Sequence, residues 1–167
     1  MHAHRRTFLQ FSAELTGYEE VVLEGSGLVD EYQALLERQA GPAVTDRFYA
    51  TARRVLRVKD AQARAKAMRI DVMASPILWP LATALIVLWY QGSWTTPPAS
   101  WYALAQTPPP KGVTPGHTFV PSARAYTAQL AYRAAGAHPP GANPTGFGSW
   151  ALDPVFGDDL PAPKEPA

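Results

Sequence analysis

The chain has 167 residues, no cysteine and a formal net charge of +1 at pH 7. Without cysteine it cannot form disulfides, thiolate zinc sites or iron–sulfur ligation, and it has no cysteine nucleophile. The small net charge excludes a global field that attracts nucleic acid, while the 47% of hydrophobic residues is enough for a folded core.

Charged residues and prolines divide the sequence into three zones. Eleven of the 15 Lys and Arg residues and ten of the 14 Asp and Glu residues precede Ser75, whereas residues 72–110 carry no charge. Fourteen of the 17 prolines lie at or after Pro97. We therefore expect a charged helical half, an apolar centre and a proline-rich C-terminal third.

Apolar residues at helical spacing predict four helices in the charged half. Gly17 ends the first helix, and Gly41 with Pro42 closes the second. Thr45 is expected to cap the third helix and Asp60 the fourth, which continues through the alanine-rich stretch. The stripes of the first three helices are Phe8, Phe11 and Leu15; Leu28, Tyr32, Leu35 and Leu36; and Phe48, Ala52 and Val55.

The charge-free zone predicts a buried central helix. Ser75 and Pro76 form a favourable helix entry, and Pro80 predicts a kink or a restart of the helix. The apolar run up to Tyr90 has about 15 residues, against the roughly 20 that a membrane-spanning helix needs.

The remaining sequence predicts a proline-rich loop, one more helix and a tail. The loop covers about residues 92–121, and the last helix runs from Ser122 to Gly136. Three of its residues are expected to face inward: Ala123, Tyr126 and Leu130. The predicted fold class is all-α, with a small, irregular helical domain over residues 1–136 and an extended, partner-wrapping tail over residues 137–167.

Residue types that carry common chemistries are not grouped in this sequence. The histidines lack the spacing of a metal site, and no acidic cluster accompanies them; they are His2, His4, His117 and His138. Gly25-Ser26-Gly27 is too short for a nucleotide loop and follows no strand. We therefore expect no flavin, haem or metal in this chain, and no catalytic residue.

Two segments carry an interaction signal. Residues 53–69 contain seven Lys and Arg residues against Asp60 alone, which fits docking to an acidic partner or nucleic acid, or simply two solvated helix faces. The charge-free zone gathers four tryptophans, which fit either an interface or a core. Because Trp94 and Trp101 lie in the proline-rich loop, we expect them to be only partly buried.

Three segments resemble one family. Trp89, Tyr90 and Gly92 are similar to the Trp-Tyr-x-Gly signature of the small subunits of bacterial membrane-bound FAD-dependent sugar and polyol dehydrogenases. Ser12-Ala13-Glu14-Leu15-Thr16-Gly17 resembles the opening helix of that family. His138-Pro139-Pro140-Gly141 and Gly146-Phe147-Gly148-Ser149-Trp150 resemble its closing motif, so the three segments span most of the chain in the expected order.

The resemblance implies a non-catalytic subunit that stabilises, assembles and helps to export an FAD-containing catalytic subunit. FAD, and in several members an iron–sulfur cluster, belongs to that partner, and a multi-haem cytochrome c subunit passes electrons to the membrane. The complex is periplasmic and attached to the inner membrane, with which this chain associates only through the complex; nucleic acid is not a partner. Seven residues are expected to form the partner interface or the motif: Trp89, Tyr90, Gly92, Trp94, Trp101, Phe147 and Trp150.

The N-terminal segment departs from the family pattern. Arg5-Arg6-Thr7-Phe8-Leu9-Gln10 imitates a twin-arginine signal, but Glu14 follows where an apolar stretch is required. We expect this segment to begin the first folded helix, with export relying on a removed signal or on the partner's signal. Two other hypotheses stay open: a free-standing adaptor that binds a partner through its aromatic centre, and a small enzyme with an unfamiliar site.

Overall fold

The computed structural model describes residues 4–137, in which nine α-helices, one π-helical segment and two very short strands occur. The helices α1 to α9 span Arg5–Thr16, Glu20–Gly25, Val29–Ala40, Pro42–Leu56, Ala61–Ala67, Trp79–Gln91, Ala99–Leu104, Ala123–Thr127 and Leu130–Ala134. The π-helical segment Met68–Met73 continues α5. Strands β1 (Trp94–Thr95) and β2 (Thr118–Phe119) pair antiparallel, with Trp94 opposite Phe119. The predicted all-α fold class is confirmed; the predicted tail, including Phe147 and Trp150, lies outside the described residues.

The ends of the N-terminal helices follow local backbone chemistry. Gly17 closes α1 in the left-handed conformation, with φ 75° and its N–H donating to the carbonyl of Ala13. Asp60 caps α5 by accepting a hydrogen bond from the N–H of Ala63 at 2.7 Å. Both caps were predicted correctly.

The predicted start of the third helix is wrong. Helix α4 begins at Pro42, and Thr45 is buried inside the helix, where its N–H donates to the carbonyl of Gly41. The fixed φ of proline suits the first helical position, so the helix starts one turn before the expected threonine cap.

Helix α6 is the centre of the fold. It restarts at Trp79 with Pro80 in its first turn, after a turn in which Ser75 Oγ accepts from the N–H of Leu78 at 3.2 Å. A kink or a restart was predicted at Pro80, whereas the predicted helix entry at Ser75 and Pro76 is wrong, because these residues form a turn before the helix. The helix packs against α1, α3, α8, α9, β1 and the π-helical segment, and its own buried residues are Leu81, Ala82, Ala84, Leu85, Leu88 and Trp89.

Part of the structure between and after these helices was not predicted from the sequence. The short helix α2 was not predicted, and the expected loop contains β1, α7 and β2. Ser122 caps α8 as expected, by accepting from the N–H of Ala125 at 3.1 Å, but the last helix is broken into α8 and α9. Leu130 is buried as predicted, Tyr126 is half-buried and Ala123 is exposed.

Among residues 4–137, no helix combines the length and the apolar character that crossing a lipid bilayer requires.

Candidate partner-binding site

Three of the tryptophans expected at an interface belong to the core of the chain itself. Trp89, Trp94 and Trp101 are at most 4% exposed. Trp101 Nε1 donates to the carbonyl of Ile77 at 3.0 Å, because α7 folds the proline-rich segment back over the start of α6. The expectation that Trp94 and Trp101 are only partly buried is therefore wrong, and these side chains stabilise the fold from inside.

The first two motif segments of the family resemblance meet in the structure. Tyr90 Oη donates to the carbonyl of Thr16 at 2.8 Å, joining residues 74 positions apart. Thr16 Oγ1 in turn donates to the carbonyl of Ser12 at 2.8 Å, and the ring of Tyr18 packs edge-on against Tyr90 with 6.1 Å between centroids. The two segments thus form one junction between the C-terminal ends of α1 and α6.

Gly92 allows close packing at the end of α6. It ends α6 with φ 64°, a conformation that side chains other than glycine rarely adopt. A Cβ at this position would overlap the carbonyl oxygen of Ala125 and lie 2.8 Å from its carbonyl carbon and 3.2 Å from Cγ of Gln129. Glycine therefore allows α8 to approach the end of α6, and the Trp-Tyr-x-Gly segment acts as a structural motif.

Polar side chains of α3 and α4 form a hydrogen-bonded network. Glu37 Oε1 accepts hydrogen bonds from Tyr49 Oη at 3.0 Å and from Gln33 Nε2 at 2.8 Å. Burial and the neighbouring Glu37 carboxylate raise the pKa of Tyr49 far above its usual value, so the phenol stays a donor. The imidazole of His4 stacks on Tyr49 with 4.1 Å between ring centroids. Across the part of the chain that the structure describes, no three His, Asp or Glu side chains are grouped as metal ligands.

The segment that imitates a twin-arginine signal is folded. Phe8 is fully buried, and Arg5 forms ion pairs with Glu24 and Asp30, each at 2.6 Å. The prediction that this segment begins the first helix is confirmed.

One tryptophan does lie on the surface. Trp79 is 47% exposed at the start of α6. Together with Thr83, Val87, Pro97 and Pro98 it lines a surface groove of about 300 Å³, here named the Trp79 groove. Its lining contains no charged residue, so it suits an apolar segment of another chain.

Trp79 was not among the predicted site residues, although the spacing of its neighbours indicated a second apolar face on α6. Trp79, Thr83 and Val87 recur every four residues, which places them on one face of a helix. That face differs from the one carrying the buried Leu81, Leu85 and Leu88.

The basic segment 53–69 divides into paired and unpaired cations. Arg54 pairs with Asp71 at 3.2 Å, and Arg64 pairs with Glu14 at 2.8 Å. The other exposed cations on α5 and around its two ends form no ion pair with any residue between 4 and 137; they are Arg57, Lys59, Lys66 and Arg69.

Comparison with known proteins gives no relative: no family model, no curated protein and no solved structure matches the chain.

Proposed function

We propose that this chain is a non-catalytic small subunit that binds, stabilises and helps to export the FAD-dependent catalytic subunit of a periplasmic sugar or polyol dehydrogenase. The observation that carries the proposal is the junction of residues 12–17 with residues 89–92. Two segments that resemble separate motifs of that family lie side by side, joined by the 2.8 Å hydrogen bond from Tyr90 to Thr16. A shared structural task gives a physical reason for both motifs to occur in one chain.

The Trp79 groove supports a binding role. A half-exposed tryptophan beside an uncharged groove leaves apolar area in water that a partner could bury. Tryptophan is enriched among residues that dominate binding energy, because it buries a large rigid ring and loses little conformational entropy. In this proposal the catalytic subunit inserts an apolar segment here, and FAD and any iron–sulfur cluster belong to that subunit.

The adaptor alternative was based on an exposed aromatic centre. Because Trp89, Trp94 and Trp101 are buried, only Trp79 of that centre offers a large exposed ring. An adaptor would use the same groove, so the identity of the partner separates the two functions.

The test is co-expression with a candidate flavoprotein, the FAD-dependent catalytic subunit of a sugar or polyol dehydrogenase from the same organism. The wild-type chain should co-purify with that flavoprotein at a fixed ratio. Trp79→Ala should weaken the complex by about tenfold or more, because the ring of an interface tryptophan commonly contributes over 1.4 kcal/mol. Val21→Ala is the control, since Val21 is another exposed large apolar residue and lies on α2, away from the groove lining. Failure of the wild-type chain to retain the flavoprotein would refute the proposed function.

The cofactor part of the proposal has its own measurement. The purified chain should show no flavin or haem absorbance and no stoichiometric metal. Bound FAD in the isolated chain would instead support an enzyme.

A further inference from the structure

Helix α5 and the π-helical segment after it, together the helical arm (residues 61–73), bury few side chains. Helix α5 has no buried residue, and Val72 is the one buried residue of the π-helical segment. The arm is held by the partly buried Ala67 and Met68 and by ion pairs of Arg64 and Asp71 with the neighbouring helices. Most of its surface therefore faces solvent.

The outward side of the arm carries both apolar and basic residues. Lys66, Arg69, Ile70 and Met73 are all exposed, and their spacing of three and four residues puts them on one side of a helix. We name this set the arm face. Ile70 is 57% and Met73 40% exposed, and neither cation of the arm face forms an ion pair within residues 4–137.

The Trp79 groove begins a few residues after the arm face in the chain. The π-helical segment packs against α6, and a single turn of chain separates Met73 from Trp79. Six large hydrophobic residues are exposed in the described part of the chain, and three of them are here: Ile70, Met73 and Trp79. We call the arm face and the Trp79 groove together the combined surface: the groove is uncharged, and the arm face carries two exposed cations.

We infer that this combined surface binds the flavoprotein subunit through an apolar patch of that subunit that is bordered by carboxylates. The inference rests on the proposed function and adds the chemistry of the partner surface. The groove accepts apolar side chains, and carboxylates opposite Lys66 and Arg69 complement their charge. Arg57 and Lys59, which precede α5 in the chain, are also exposed and form no ion pair within residues 4–137.

A protein partner fits this surface better than a lipid membrane does. In a helix that lies in a membrane surface, apolar residues occupy one face and charged residues the opposite face. On the arm face, Lys66 and Arg69 lie on the same side of the helix as Ile70 and Met73. Arginine, methionine and tryptophan are also the residue types enriched at protein interfaces.

The experiment measures the affinity of the full chain for the candidate flavoprotein at low and at physiological salt. Lys66→Glu/Arg69→Glu should weaken binding by about tenfold or more and reduce its salt dependence. Arg38→Glu/Arg133→Glu is the matched control, because both arginines are exposed, form no ion pair within the described residues and lie on α3 and α9. The control should bind within about twofold of wild type, and circular dichroism should be unchanged in both variants.

The outcomes separate the two proposals. No binding by the wild-type chain refutes the proposed function, and the inference with it. Tight wild-type binding that Lys66→Glu/Arg69→Glu leaves unchanged refutes the inference alone. If wild type binds vesicles containing phosphatidylglycerol through Lys66 and Arg69, while affinity for the flavoprotein does not depend on them, the arm face is a lipid site and the inference is wrong.

A full-length variant tests whether the chain's own acidic residues occupy the arm face. Asp153, Asp158 and Asp159 are changed to Asn. The inference is wrong if this variant binds the flavoprotein more tightly than wild type while Lys66→Glu/Arg69→Glu does not weaken binding. The arm face would then be assigned to the C-terminal segment. Unchanged affinity leaves the flavoprotein as the occupant.

Discussion

Replacing Gly92 with alanine adds one methyl group at the end of α6. We expect this substitution to destabilise the protein more than a glycine-to-alanine substitution at any other helix end of the described chain. The left-handed backbone, with φ 64°, costs an alanine about 1–2 kcal/mol. The added Cβ also meets the backbone of Ala125, its carbonyl carbon 2.8 Å away, and backbone cannot move aside as the end of a flexible side chain can. Forced repacking of this kind costs about 1–3 kcal/mol, which gives a total of about 2–5 kcal/mol.

The chain contains its own control for the steric part of this effect. Gly17 ends α1 with φ 75°, and a Cβ placed there has no neighbour within 4 Å. Gly17→Ala should therefore cost only the backbone part, about 1–2 kcal/mol. The difference between the two variants isolates the contact between Gly92 and α8.

Urea unfolding followed by circular dichroism measures both free energies of unfolding. Equal destabilisation by Gly92→Ala and Gly17→Ala would refute the close approach of α8 to the end of α6. A loss of about 2–5 kcal/mol is also a large share of the roughly 5–15 kcal/mol that stabilise a typical domain. Low yield of soluble Gly92→Ala with normal yield of Gly17→Ala is therefore expected.

Two further predictions concern tyrosines. Tyr90→Phe removes the hydrogen bond to Thr16 and should lower the free energy of unfolding by about 1 kcal/mol, while the secondary structure seen by circular dichroism stays the same; an unchanged free energy in urea would contradict the junction. Stability should also fall as the pH rises from 10 to 12. Burial raises the pKa of Tyr102 to about 12, and those of Tyr32 and Tyr49 also rise above the usual value near 10. Above pH 10 the unfolded chain loses phenolic protons that the folded chain retains, so folding becomes less favourable by up to about 1.4 kcal/mol per pH unit for each tyrosine. Ionisation of Tyr32, Tyr49 and Tyr102 should accompany unfolding, and loss of their phenolic protons at pH 10 in a fully folded chain would disagree with this burial.

The helices could be predicted where a local cause determines them. Gly17 and Asp60 act within a few residues of their own position, so their caps are readable from sequence. Pro80 restricts only the turn before it, and the restart of α6 follows from that restriction. The prediction at Thr45 was wrong because Pro42, less than one turn earlier, is also a suitable helix start. Helix α4 begins at this proline.

The site residues depended on contacts that sequence spacing does not contain. Trp101 is buried because α7 returns to α6, and a proline-rich stretch gives no periodic signal for a helix of that length. In the sequence, the arm face was recognised only as part of the basic segment 53–69. Which cations of that segment are paired, as Arg64 is with Glu14 of α1, depends on the tertiary structure. Trp89 and Gly92 were expected at a partner interface, but both lie inside the chain, where they have a structural task.

The proline-rich segment has a consequence for synthesis on the ribosome. Trp101 and Tyr102 donate hydrogen bonds to the carbonyls of Ile77 and Gln39, so residues made later close a core begun by residues made earlier. When the nascent chain has left the ribosome only as far as Gln91, α7 is not yet available to cover the start of α6. At about 5–20 residues per second, α7 follows roughly one to a few seconds later. During that interval we expect the apolar surface of α6 to attract chaperones, and slower synthesis of the following residues would lengthen the exposure.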